Sequence, residues 1–275
     1  PRPAPPRRRA RLPTPALVVL LPRLAPRALV VGLSVVAAPV SPRGAGVRSG
    51  APLGAALAFY LIGLDIGPAF AAESAVYTIA GLVGSLCFVY AYYQTALRCD
   101  RWAIPIASIG ATAGYFAVIG PLYLIDLSKL SATLFTVSAT FAFAFIFRNI
   151  EDSRIDRPVR LTLRILVLRA ALAAVIILMI TGAAKWVGSR WAGLFSAFPT
   201  TLFPLMLIVH ISYGRPAVNT IIKNFPRGLG SLILYALGVS FVYPRYGVLL
   251  GTIVAFVLAT AYLFLYGTVV MKTGK

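Results

Sequence analysis

Acidic residues are scarce in this sequence, with seven aspartates and glutamates against 26 lysines and arginines, and none of them follows Asp156. The second half of the chain therefore holds no carboxylate pair for hydrolysis and no acidic proton relay. Histidine occurs once, as His210, and the cysteines Cys87 and Cys99 lack the spacing of metal ligands. The sequence also lacks a phosphate-binding glycine loop and a nucleophile triad. We therefore expect no enzyme, no catalytic residue and no bound metal or cofactor.

Charged residues of either sign are few as well, at 12% of the chain, where a water-soluble domain averages about 25%. Hydrophobic residues make up 59% of the sequence, and the mean hydropathy is +0.86. They gather in repeated runs of about 20 residues, the length of a membrane-spanning helix. The alternating segments of a membrane β-barrel are missing. The sequence predicts an all-α, polytopic transmembrane helix bundle with seven or eight spans.

The apolar runs also divide the chain into blocks. Seven spans are predicted at about residues 76–97, 103–125, 130–147, 165–187, 192–212, 229–243 and 247–266. The first three belong to a front membrane block at 73–147, a polar cytoplasmic linker follows at 148–164, and the last four belong to a back block at 165–275. Upstream, residues 53–72 are either a weak first transmembrane helix that carries Asp65 or a signal-like segment.

Residues 1–52 differ in composition from the rest of the chain, with eleven of its 20 prolines, nine arginines and no acid. Prolines and arginines interrupt the apolar run at 16–38, which disfavours a regular spanning helix. We expect this region to be poorly ordered or not native to the protein. An arginine-rich transit peptide is the alternative.

The distribution of basic residues predicts how the chain crosses the membrane. Twelve lysines and arginines flank the seven spans on one side, and four lie on the other side. By the positive-inside bias, the first side is cytoplasmic and includes the C-terminus. The same bias explains the formal charge of +19 without nucleic acid as a partner. We predict a multi-pass protein of a bacterial cell inner (plasma) membrane, in contact with anionic lipid headgroups.

The stretch 188–214 carries residues that a simple apolar anchor does not need. Pro199 and Pro204 each free a backbone carbonyl one turn earlier, and the hydroxyls of Ser196, Thr200 and Thr201 lie within reach of such groups. Two interpretations remain open. The prolines form either a packed kink or a broken helix that lines a polar cavity, as in many transporters.

Three further residues complete the candidate substrate-binding set, namely Arg169, Lys185 and His210. Arg169 and Lys185 lie one turn inside the two ends of the fourth span. They either extend to the headgroups or face the bundle, where the back block offers no acid and an anion from outside would be their partner. His210 lies near the cytoplasmic end of the fifth span, as an interfacial residue or a proton carrier.

Residues 215–227 predict a short amphipathic helix on the cytoplasmic surface. It begins at Pro216, a favourable first helical residue. Four apolar residues then fall on one helical face, namely Val218, Ile221, Ile222 and Phe225. A helix of this kind lies at the membrane interface and anchors there.

Two short motifs in the back block resemble a known family. The sequence WAGL at 191–194, followed by FPT at 198–200, is similar to the AGL-x3-FPT core of the small bacterial inner-membrane proteins called GlpM. A glycine and a small apolar pair also match, at 213–214 and 217–218, so the likeness covers roughly residues 164–266. The family is named for an effect on expression of glycerol-3-phosphate dehydrogenase. The resemblance implies an inner-membrane location and supplies no catalytic residues.

Together these patterns predict a permease-like integral membrane protein that binds or moves a small solute or lipid. The basic residues of the back block favour an anionic solute. The alternative is a non-transporting membrane subunit that supports a partner enzyme or complex, within a homo-oligomer or a larger membrane assembly.

Overall fold

The computed structural model describes residues 50–99, 103–151 and 163–273 together with Val47, while the side chains of 163–170 and 267–273 lie outside the description. All regular structure in this part of the chain is helical. Five of its helices are long and apolar enough to cross a membrane. The prediction of an all-α, multi-pass membrane protein is confirmed at this level. Most of the predicted region 1–52 and most of the linker at 148–164 lie outside the described residues.

Within the ranges 50–99, 103–151 and 163–273, six α-helices follow one another. They are α1 (Leu53–Asp65), α2 (Pro68–Arg98), α3 (Ala103–Tyr123), α4 (Lys129–Ile146, extended by a 3-10 turn at Phe147–Asn149), α5 (Leu163–Ser196) and α6 (Leu202–Thr273). The weak first span predicted at 53–72 is the helix α1, which has 13 residues. That is short of the roughly 20 residues that cross a bilayer.

Three glycines break the two longest helices. Gly188, Gly214 and Gly247 have φ angles of 81°, 77° and 78°, which glycine adopts without the steric cost of a side chain. They divide α5 into α5a (163–187) and α5b (189–196), and α6 into α6a (202–213), α6b (215–246) and α6c (248–273).

At Gly247 the chain reverses into a helical hairpin. The Ser231 hydroxyl donates to the Ala259 carbonyl (3.0 Å), and the hydroxyls of Tyr243 and Thr252 are 2.6 Å apart. Each pair lies nearly symmetrically about Gly247 in the sequence. This pairing requires α6b and α6c to run antiparallel.

At Gly214 the chain also turns back along the bundle. Thr78 contacts Gly193, and Tyr92, later in α2, contacts His210, which is later in the chain than Gly193. Because both partners advance in the same direction, α5b and α6a run parallel to α2. The Arg215 guanidinium donates to the Ala96 carbonyl at the Arg98 end of α2. Helix α6b therefore starts at the Arg98 end of the bundle and returns towards the opposite end.

The core of the bundle lies around α2. In the most apolar 18-residue stretch of α2, 83% of the residues are buried. In the corresponding stretches of the other candidate spans, 17–28% are buried. Helices α3, α4, α5a and α6c lie outside it and expose large apolar side chains, among them Ile109, Phe141, Met179 and Phe264. An exposed apolar surface of this extent is the surface that a bilayer covers.

The prediction of a short amphipathic surface helix at 215–227 is wrong. The helix continues through Pro226 to residue 246, and the face predicted to lie on the membrane is buried in the bundle, at Val218, Ile221, Ile222 and Phe225. A proline is tolerated inside a membrane helix where neighbouring groups satisfy the backbone. Lys223 is also used internally, because its amine donates to the Ile150 carbonyl (2.5 Å). The sixth predicted span is therefore part of a full-length helix.

Candidate binding site at a broken membrane helix

Helices α5b and α6a follow one another alongside α2. The chain between them, residues 197–201, is not helical. Helix α5b closes with Phe198 N–H donating to the Phe195 carbonyl (3.0 Å), and α6a opens with Phe203 N–H donating to the Pro199 carbonyl (2.8 Å). Pro199 has no N–H and cannot continue the first helix. The structure therefore shows an interrupted helix at this stretch.

The break lies near the middle of the bundle. The Ala197 carbonyl is bonded by Ser85, which lies about 26 Å along α2 from Pro68 and about 20 Å from Arg98 at 1.5 Å per residue. If α2 crosses the bilayer along its length, residues 197–201 lie within its hydrocarbon core.

Hydroxyl groups from neighbouring helices bond the carbonyls at the end of α5b. Thr78 Oγ1 donates to the Gly193 carbonyl (2.7 Å), Ser85 Oγ to the Ala197 carbonyl (2.5 Å) and Tyr115 OH to the Leu194 carbonyl (2.5 Å). The Gly193 and Leu194 carbonyls otherwise share one long bond from the Ala197 N–H (3.3 Å to each). In lipid, such carbonyls have no water to bond with, so the three hydroxyl donors make the break tolerable. Ser196, which we predicted for this role, instead donates to Ala192 in its own helix (2.7 Å).

The sequence offered a partial signal for these donors. Thr78 and Ser85 are seven residues apart in an otherwise strongly apolar helix, and that spacing places them on one face. The pattern indicates a polar stripe that needs a partner. Tyr115 gave no comparable signal, since aromatic residues occur throughout the spans.

A small cavity lies at the break. The space that the centre of a water-sized sphere can reach in it is ≈ 30 Å³. This is room for about two water molecules. Hydroxyl-bearing residues of the lining are Thr78, Ser85, Ser196, Thr200 and Thr201, and Pro199 also lines it. Phe225 and Leu232 of α6b are among its apolar residues.

Thr200 and Thr201 carry the hydroxyls of this cavity that make no hydrogen bond to any residue in the described part of the chain. Thr200 as a residue is 6% exposed, but its hydroxyl oxygen is not among the fully buried polar atoms without a partner. The hydroxyl therefore opens on the cavity without a partner. A molecule in the cavity would supply that partner.

Helix α1 also opens on the cavity. Ala51, Gly54 and Ala55 line it, and a Cβ atom at Gly54 would lie 2.5 Å from Thr200 Oγ1. The lack of a side chain at Gly54 is what lets α1 approach so closely. The first turns of α1 and α6a thus both lie at the cavity, and each helix N-terminus carries a partial positive charge. The C-terminus of α5b, at Ser196 and Ala197, also ends at the cavity and carries a partial negative charge. The cavity therefore combines hydroxyl groups with two positive helix ends and one negative one, a field that suits a dipolar or anionic group.

The remaining predicted site residues lie away from the cavity lining. Pro204 is buried in α6a. His210 is buried towards the Arg98 end, with its Nδ1 atom 2.8 Å from the Tyr92 hydroxyl. Lys185 is at the opposite end of the bundle and forms an exposed ion pair with Asp65 of α1 (3.0 Å). Its partner is thus an acid of the front part of the chain. The side chain of Arg169 lies outside the described residues.

Comparisons of the chain with protein-family models, curated proteins and solved structures gave no match. The resemblance to GlpM therefore stays a prediction. Its residues coincide with the break, since Gly193 packs against α2 and Pro199 and Thr200 line the cavity.

Proposed function

We propose that the protein is a permease-like membrane protein that binds a small anionic or strongly dipolar solute at the break and moves it across the membrane. The hydroxyl of Thr200, which opens on the cavity and makes no hydrogen bond within the described residues, is the observation that supports this function. Discontinuous helices whose N-termini meet at mid-membrane are a recurrent way to build a solute site in transporters. Ser196, Pro199, Thr200 and Thr201 form the site in this proposal.

Movement of a solute would require the bundle to open at one end. Two ion pairs link its parts at the end near Gly188: Lys185 with Asp65, and Arg190 with Asp126. Exposed ion pairs of this kind contribute about 0–1 kcal/mol each. They therefore offer little resistance to separation, and the positive φ of Gly188 between Lys185 and Arg190 marks a hinge point.

We further propose seven crossings of a bacterial inner membrane, formed by α2, α3, α4, α5a, the broken helix α5b–α6a, α6b and α6c. Helix α1 enters the bundle without crossing. The Arg98 end is cytoplasmic in this proposal because it is the more basic side. Without Lys223 and Arg227, which lie within α6b, ten of the twelve predicted basic residues remain there against four on the other side.

A topology experiment tests that orientation. A fluorescent protein that matures only in the cytoplasm, fused after Lys275, is expected to fluoresce, because the C-terminus lies on the basic side. The same reporter inserted at Asp126 is the matched control and should stay dark. Fluorescence from the Asp126 insertion together with a dark C-terminal fusion would reverse the assigned orientation.

An accessory membrane subunit is the second candidate function. It is favoured by the use of Thr78, Ser85 and Tyr115 in bonds within the bundle and by a cavity with room for about two waters. In that case the break is a packing device, and the protein acts through a homo-oligomer or a partner enzyme or complex.

Solute flux separates the two functions. Purified protein in liposomes is expected to carry at least one of a panel of labelled small anions, tested beside neutral polar solutes. Thr200→Val should lower the uptake rate about tenfold, because one hydrogen bond to a charged group contributes about 1.5–3 kcal/mol. Thr140→Val is the control, since Thr140 bonds only within α4. No flux for any solute, with stable co-purification of another protein, would contradict transport.

A further inference from the structure

An arginine lies on the membrane-facing surface of α6b. Arg227 is exposed and shares its helix face with Leu234 and Phe241, whose apolar side chains are exposed too. These residues repeat at seven-residue intervals, close to two helical turns. Arg227 also lies thirteen residues from the break at Gly214, or about 20 Å along the helix.

Apolar surface extends past Arg227 in both directions along the bundle. Tyr262 of α6c marks the same level, since its hydroxyl donates to the Arg227 carbonyl (3.3 Å). From there towards the Arg98 end, Phe264 and Leu265 remain exposed. Arg227 therefore belongs to the zone of exposed apolar side chains that faces lipid. A charge without a counter-ion is unfavourable there.

Asn224 holds the guanidinium group in position. Arg227 Nη1 donates to Asn224 Oδ1 (2.6 Å), and Asn224 Nδ2 donates to the Thr220 carbonyl (2.8 Å). Asn224 is only 2% exposed, so the amide that orients the arginine is fixed within the bundle. The guanidinium group has five N–H donors and does not lose its charge in proteins.

The ion pairs within the described residues join Lys185 to Asp65 and Arg190 to Asp126, and neither involves Arg227. Beyond Asp156 the sequence also offers no acid that could serve as its partner. Among the described residues, then, Arg227 has no acidic counter-ion, and its charge is open to one from the surroundings.

Two tyrosines of α6c form one wall of this site. Gly230 leaves room for the ring of Tyr262, because a Cβ atom at this glycine would lie 2.3 Å from the ring. Tyr262 also stacks on Tyr266, with ring centroids 5.9 Å apart. A guanidinium group beside this wall forms paired hydrogen bonds with phosphate.

We propose that Arg227 binds the phosphate of an anionic phospholipid on the surface where α6b packs against α6c, with acyl chains lying along Leu234. The guanidinium group supplies two parallel donors to the phosphate, and Asn224 sets their direction. This lipid site is separate from the cavity at the break and does not depend on transport.

The thermal midpoint of the purified full chain in neutral detergent tests the site. Added phosphatidylglycerol is expected to raise it by at least about 3 °C more than phosphatidylcholine does, since a ligand of the folded state stabilises it. Arg227→Gln should remove at least half of that difference. Arg148→Gln is the matched control, because Arg148 is also an exposed arginine and stacks on Phe145, and it should keep the full difference.

Two results would overturn the proposal. One is the same phosphatidylglycerol shift in the Arg227→Gln variant and in the unaltered protein. The other is an equal shift with inorganic phosphate alone, which would indicate a free-anion site. Should Arg227→Gln not fold, Arg227→Lys keeps the charge without the paired donors. It is expected to need about tenfold more lipid for half of the shift, and an unchanged requirement would argue against recognition by the guanidinium group.

Discussion

Replacing Gly193 with alanine is expected to lower the thermal midpoint of the protein in detergent by about 3–10 °C. Helix α5b passes α2 so closely here that a Cβ atom at this position would lie 2.1 Å from the Ser74 carbonyl oxygen and 2.8 Å from Tyr77 Cβ. The two helices must separate, which also strains the hydrogen bond from Thr78 to the Gly193 carbonyl. Overpacking costs about 1–3 kcal/mol, and each kcal/mol is about 2–4 °C in a chain of this size.

Gly182→Ala is the matched control for this change. Gly182 is a helical, exposed glycine of α5a with open space around the position of a Cβ atom. Alanine should leave the midpoint unchanged or raise it slightly, because glycine inside a helix costs about 0.5–1 kcal/mol relative to alanine. Equal midpoints for the two alanine variants would mean that α5b does not touch α2 at Gly193.

The stretch 188–214 shows how far local sequence reasoning reaches. Its two bounding glycines are both break points of the structure, and Pro199 and Thr200 lie at the interruption that proline and hydroxyl chemistry predicts. The approximate positions of the helices and of the break could be predicted because apolar runs and helix-breaking residues are local features of the sequence. These features locate a break without saying what the break faces.

What the break faces depends on residues far away in the chain. The hydroxyls that bond its carbonyls come from positions 79 to 115 residues apart in sequence from their acceptors. The approach of α1 to Thr200 at Gly54 is a similar long-range contact. No local pattern indicates which polar residue of one span meets which carbonyl of another. The same limit explains the error at Pro226, because whether a proline ends a membrane helix depends on its neighbours.

Removing the three hydroxyls at the break together is expected to have the largest effect on stability. The variant Thr78→Val, Ser85→Ala, Tyr115→Phe keeps the shapes of the side chains and leaves three carbonyls of α5b and the break without these donors. Hydrogen bonds inside membrane proteins contribute about 0.6 kcal/mol on average and up to about 1.7. We therefore expect a loss of about 2–5 kcal/mol and a thermal midpoint lower by about 5–15 °C.

A matched triple variant separates this effect from the loss of hydroxyls in general. Ser108→Ala, Thr112→Val and Thr140→Val remove hydroxyls that bond only to carbonyls one turn earlier in their own helices, and these carbonyls already accept a helical N–H. The control should stay within about 1 kcal/mol of the unaltered protein. Hydrogen exchange measured by mass spectrometry adds a local readout, since exchange at residues 193–203 should rise only in the first variant. If both triple variants lose the same stability, or exchange at the break stays slow, then the donors of α2 and α3 do not hold the broken helix.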